Sequence, residues 1–96
     1  MKLPCVYILA NRYLGGMYVG VTSDLAKRVS EHRLGILPGY TLERDLKRLV
    51  WHESHPEMEQ AIMREKRLKR WRREWKFALI EAANPDWRDL FAEIAG

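Results

Sequence analysis

A chain of 96 residues holds one domain with a single modest core. Its 47% apolar and 31% charged content excludes a disordered chain, and the solitary Cys5 excludes an internal disulfide framework or multi-cysteine metal site. The formal charge of +4 is concentrated: residues 64–76, "REKRLKRWRREWK", hold eight Lys/Arg against Glu65 and Glu74, which makes a polyanion such as nucleic acid the natural partner.

Met1-Lys2-Leu3-Pro4 shows no signal-peptide hydrophobic region, and no apolar run approaches the ~20 residues that span a bilayer. A reducing, cytoplasmic setting without a membrane partner is the expectation. "CVYILAN" is a short apolar run rich in β-branched and aromatic residues, the pattern of a buried strand. "RYLGG" supplies turn residues and "MYVGVT" a second strand, so residues 5–22 read as a hairpin. Thr22, Ser23 or Asp24 can cap the following helix, about 24–34, which Gly35 ends. "ILPGYTLERD" reads as a loop because of Pro38 and Gly39, and "LKRLVWHES" holds a third strand. Pro56 opens a long helix to about residue 70, and a further helix follows a break near Trp71 and stops at Asn84-Pro85. Trp87, Leu90, Phe91 and Ile94 form the apolar stripe of a final short helix, free to pack on the chain's own core or on a partner. The order β-β-α-β-α-α, with this short C-terminal helix, implies an α+β fold: a small antiparallel sheet flanked by helices.

Several polar side chains stand where apolar ones are expected. Leu25, Arg28, Val29 and His32 share one helix face. An Arg can bury its stem and keep its head wet, and a lone His at a core boundary is commonly a packed one, yet both sit on one stripe. Glu65 lies three residues after Ile62 and three before Leu68, within the apolar face formed with Met58 and Ala61. A carboxylate there is costly to desolvate unless paired or metal-bound. An i,i+4 pair with Lys69 would serve equally well on the outer face. Tyr7 and Tyr18 share a sheet face if hairpin partners sum to an odd number, such as 27 with a six-residue loop; an even sum separates them. Two phenols, an Arg, a His and one inward carboxylate fit metal-assisted attack on a phosphodiester.

The ordered set "CVYILAN…MYVGVTSDLAKRVSEH" resembles the opening of the GIY-YIG nuclease domain. Val6-Tyr7 stands at the IY of the first motif, with Cys5 in place of its glycine, and Tyr18-Val19-Gly20 stands at YIG. Arg28 matches the family's helix arginine and Glu65, within "AIMREKRLK", its metal-binding glutamate; Val21 stands where the excision-repair relatives place a lysine. The likeness runs from about residue 4 to 83, with 84–96 as an extension of the same domain, and is closest to small single-domain members with a "GYT"-like loop (Gly39-Tyr40-Thr41) and an "NPDWRDL"-like tail.

The resemblance implies a three-stranded antiparallel sheet, a site for one divalent ion (Mg²⁺ or Mn²⁺) on Glu65, and hydrolysis of DNA in repair or processing. Tyr7 and Tyr18 would be the proton-transfer and water-positioning phenols, Arg28 the phosphate contact, and His32 an aid to proton transfer. Nucleic acid would be held by Lys66, Arg67, Lys69, Arg70, Arg72, Arg73 and Lys76, with Tyr40. Such cationic contacts give salt-sensitive, sequence-independent affinity. Trp71 and Trp75 either stack on unpaired bases or pack between the last helices. A module that binds nucleic acid without cutting it is the alternative. A purely structural domain leaves Arg28 and Glu65 without a role.

Overall fold

The computed structural model describes residues 2–95. Strands β1 (Cys5–Ala10) and β2 (Met17–Thr22) form the expected hairpin, and β3 (Arg48–Ser54) pairs antiparallel with the other side of β1, giving the order β2-β1-β3. Every residue of β1 is buried, because the central strand has helices on both faces. Its unbroken apolar run follows from that position. In the hairpin Cys5 faces Thr22 and Ala10 faces Met17, so partners sum to 27 across a six-residue connection. The connection is held by Asn11 Oδ1, which accepts from the Gly16 amide at 3.0 Å, and by a Gly15 amide bond to the Arg12 carbonyl at 3.0 Å.

Two apolar layers follow from the alternation. On one face Val6, Ile8, Ala10 and Val19 pack with Ala61 and Leu68 of α3 (Met58–Arg70), Ile80 of α4 (Arg73–Ala83) and Trp87. On the other, Tyr7 and Leu9 pack with Val29 of α1 (Leu25–Leu34), Leu46, Leu49 and Leu90; Phe91 and Ile94 of α5 (Phe91–Ala95) close over them. Each fully buried aliphatic side chain in these layers contributes about 1.5–3 kcal/mol.

Local chemistry sets the helix limits. Asp24 is the N-cap of α1, its carboxylate accepting from the Lys27 amide at 3.3 Å, and Gly35 ends the helix at φ 71°, where a side chain would be strained. Helix α3 ends at Arg70, and Trp71 is extended, which confirms the break before α4.

Three expectations are corrected. Residues 36–45 are not all loop: Tyr40–Glu43 form one helical turn, α2, whose Thr41 is buried against α1. Helix α3 begins at Met58, two residues beyond Pro56, because Glu57 is extended. The C-terminal stripe is split. Trp87 turns at φ 54° into the α3–α4 layer, edge-on to Phe77 with centroids 5.0 Å apart, whereas Leu90, Phe91 and Ile94 join the α1 layer of the chain's own core.

That split is possible because the tail wraps the β3 edge. A bulge in β3 pairs Ile8 with Trp51 and Leu9 with Leu49, leaving Val50 without a partner on β1. The Asn84 amide donates to the Val50 carbonyl (3.0 Å) and to the Arg88 carbonyl (2.9 Å), and its own oxygen accepts the Arg88 amide (3.2 Å). Beyond it the Leu49 amide donates to Asp89, and the Leu90 amide to the Leu49 carbonyl, so the edge is capped rather than open. Asn84→Ala strands these buried groups and is expected to cost about 2 kcal/mol of stability, read as a lower urea midpoint with an unchanged slope.

Candidate active site

Tyr7 lies opposite Gly20 on β2, and its ring crosses directly over that glycine. A Cβ built at Gly20 would stand 2.5 Å from Tyr7 Cζ and Oη and 2.9 Å from Tyr18 Cε2. The glycine of Tyr18-Val19-Gly20 is therefore there for close approach of two rings, not for an unusual backbone angle. Tyr18 sits diagonally across the ladder on the same face, its centroid 6.3 Å from that of Tyr7. The odd register has joined the two phenols.

Helix α1 brings the other polar pair to the same face. Tyr7 Oη is 3.1 Å from His32 Nε2, and His32 Nδ1 is 3.0 Å from Thr41 Oγ1. The imidazole centroid lies 5.9 Å from the Tyr7 ring and 5.7 Å from Tyr18. Burial pushes the Tyr7 phenol well above its usual range; neighbouring Tyr18 and the charge of Glu65 add to the rise, while Arg28 opposes it. Burial, then the Arg28 charge, lowers His32, with Glu31 opposing. The pair is thus a neutral phenol beside a neutral imidazole at neutral pH. Arg28, part-exposed, is 3.9 Å from Glu31 and lines the cavity with its guanidinium end accessible.

Tyr7, Tyr18, Arg28, His32, Tyr40 and Thr41 surround one cavity of about 350 Å³, completed by Val21, Leu37 and Pro38. Glu65 does not line it, though its charge contributes to the raised pKa of Tyr7. Ala61 and Leu68 anchor α3 on the opposite sheet face, and the helix turn between them directs Arg64 and Glu65 to its two sides. Arg64 reaches Glu53 on β3 at 3.0 Å. Glu65 reaches the β2 edge, its side chain 14% exposed, where Lys69 holds it at 3.2 Å and lies 5.9 Å from the Tyr18 ring centre. Glu65 thus makes the helical pair with Lys69 that its spacing allows.

The basic run divides around the helices. Lys66, Arg67, Arg70 and Arg72 are exposed without a carboxylate partner among the described residues. Arg73 donates to the Leu14 and Gly15 carbonyls at 3.2 Å, tying α4 to the hairpin, and Lys76 is partly buried beside it, its pKa lowered by that burial. Trp71 packs beneath Arg64, while Trp75 is 52% exposed with the Arg72 guanidinium 5.5 Å from its ring centre. Tyr40 stands at the cavity mouth, its ring 6.5 Å from Tyr18 and covered by Arg44. Cys5, where the resemblance expects glycine, does not line the cavity; its thiol lies against the Leu3 carbonyl and Ser54. Thr41 escaped the sequence reading; the only signal was its place in Gly39-Tyr40-Thr41, because a threonine in an apparent loop carries no periodicity.

A three-stranded sheet between two helical layers, with a phenol–imidazole pair and a guanidinium on one cavity, defines a small α+β domain. The model of the GIY-YIG catalytic domain matches residues 3–78, and the chain belongs to that family. A UPF0213 protein of Bacillus pumilus is 37% identical over 67 residues, covering 70% of this chain and 68% of the relative. A UPF0213 protein of Lacticaseibacillus paracasei is 31% identical over 74 residues, covering 77% and 83% respectively. No solved structure matches the chain to a significant degree.

Gly20→Ala forces the Tyr7 ring off its path. It is expected to destabilise the domain by about 1–3 kcal/mol and to break the Tyr7–His32 contact, checked by thermal unfolding and by the imidazole proton resonances.

Proposed function

We propose that the chain is a divalent-metal-dependent endonuclease that hydrolyses DNA phosphodiester bonds with low sequence specificity, in repair or processing. The observation that carries this reading is the convergence of Tyr7, Tyr18, Arg28 and His32 on one cavity. Arg28 binds a non-bridging phosphate oxygen and stabilises the charge that grows there in the transition state. Tyr18, on the cavity wall, positions the attacking water. Tyr7 takes a proton from that water as its own passes to His32 Nε2, so the imidazole is the terminal acceptor. This order follows from the environment: a phenol raised by burial is a poor free base, but one that sheds its proton as it gains another needs no phenolate.

The donor set fits a hard divalent ion. Among the described residues no three His, Cys, Asp or Glu side chains form a metal cage, which disfavours zinc or calcium and suits an ion held by one carboxylate, phosphate and water. Glu65 would hold it. Such an ion, when bound, neutralises phosphate charge and lowers the pKa of water. Lys66 and Lys69, on the Glu65 side of α3, with Arg67, Arg70 and Arg72, would supply salt-sensitive affinity for the strand.

The unpaired cations also support a second reading, a module that binds nucleic acid without chemistry. A nicking assay beside a salt-titrated binding assay separates the two. Glu65→Ala and Arg28→Ala are expected to lower nicking by 10²-fold or more (about 3 kcal/mol) with the fold retained, and chelation to abolish it. Binding without nicking on any DNA or RNA form, in saturating Mg²⁺ or Mn²⁺, leaves only the binding module.

The pH dependence follows from His32. Its pKa lies below the ordinary 6.5, and once protonated it accepts nothing from Tyr7. Nicking is therefore expected to fall as pH drops through a value below 6.5, and His32→Gln to remove this acidic limb. Stability moves the same way: below pH 6.5 the unfolded chain takes up the proton first, so the fold weakens through that window.

A further inference from the structure

Behind His32, on the side away from Tyr7, stands a group that the reaction above does not use. Thr41 is 7% exposed, and its Oγ1 is the hydrogen-bond partner of His32 Nδ1 at 3.0 Å. We propose that Thr41 sets the tautomer of His32 by accepting Nδ1–H, which keeps Nε2 bare toward Tyr7. A neutral imidazole carries one proton, and the bond made by one nitrogen decides what the other can do. Free imidazole side chains favour Nε2–H. In this site that form would aim the proton at the Tyr7 oxygen, and the ring could then give a proton but not take one.

Among the described residues Thr41 is the one hydrogen-bond partner of Nδ1. Arg28, on the same helix, is a donor only, and Glu31 is engaged with it at 3.9 Å. Tyr18 faces the ring from β2 with centroids 5.7 Å apart, on the cavity side. Thr41 comes from α2 and is held firmly: its carbonyl accepts the Leu46 amide at 2.9 Å, and that of Tyr40 accepts the Arg44 amide at 3.1 Å. Its hydroxyl accepts Nδ1–H in the proposed arrangement and would donate to a bare Nδ1 in the other tautomer, so the imidazole spectrum decides between the two. The single turn therefore places Tyr40 at the cavity mouth and Thr41 behind the imidazole. Thr41 touches no reacting atom; it is a positioning residue. When the relay runs, water loses a proton to Tyr7, Tyr7 loses its own to Nε2, and the transient imidazolium keeps its Nδ1–H bond to Thr41 until the proton returns to the departing oxygen.

The catalytic consequence rests on the nuclease reading, but the tautomer does not. Two-bond proton–nitrogen correlation spectra above the His32 pKa, with His32 assigned by loss of its signals in His32→Gln, read the tautomer directly. Nδ1–H is expected in the wild type and in Thr41→Ser. Thr41→Val, of nearly the same shape, is expected to shift the ring toward Nε2–H and slow nicking roughly ten- to a hundredfold, while Thr41→Ser stays within about threefold of wild type. An Nε2–H ring in the wild type, or an unchanged ring in Thr41→Val, overturns the proposal. Should Thr41→Val fail to fold, Thr41→Ser decides it: a lost Nδ1–H form refutes the role. An Nδ1–H ring in a protein that cuts nothing upholds the Thr41 assignment and refutes the nuclease reading alone.

Discussion

The six-residue connection from Asn11 to Gly16 decides which residues of β1 and β2 face each other, and the site depends on that choice. Because side chains alternate along a strand, a slip of one residue would send Tyr18 into the α3–α4 layer and part it from Tyr7. The same register puts Gly20 opposite Tyr7, the one place where the ring can cross to the edge strand without meeting a side chain. The Asn11–Gly16 bond and the anchoring of the turn by Arg73 hold the register from both sides.

Position relative to the sheet edge explains how charged groups share a face with a core. Val29 and His32 sit over the centre of the sheet and are buried, while Arg28 keeps its head in the cavity mouth. On α3, Ala61 and Leu68 hold the buried line and the turn between them sends one charge to each edge. Neither guanidinium nor carboxylate is stranded in apolar surroundings, which would cost several kcal/mol. The energy of the layers comes from apolar burial; the polar groups are tolerated because the core is narrow and its edges are near.

The tail contributes differently. Asn84, Asp89 and Leu90 satisfy backbone groups along β3, next to the bulge that turns both Val50 and Trp51 into one layer. Helix α5 then packs beside α1, which carries Arg28 and His32. Residues 84–95 line no part of the cavity but support the layer that holds Tyr7 and α1.

The strands and the longer helices were legible in the sequence because apolar period, glycine and capping residues are local signals: β1 as an unbroken run, Gly35 at the end of α1 and the break at Trp71 stand where the sequence places them, and Asp24 is the cap among its three candidates. The anomalous polar residues were legible too, since a carboxylate or guanidinium within an apolar stripe is visible without coordinates. Periodicity could not say which side of the stripe Glu65 leans toward, that Trp87 and Leu90 part to opposite layers, or that Thr41 stands behind His32. Those outcomes depend on where an edge, a bulge or a second helix lies in space. The sequence alone therefore determined which elements form and which side chains do not belong to the core. Only the folded sheet decided which of them meet, because contacts between residues 7, 32 and 41 are set by strand register and helix placement, quantities that no local pattern encodes.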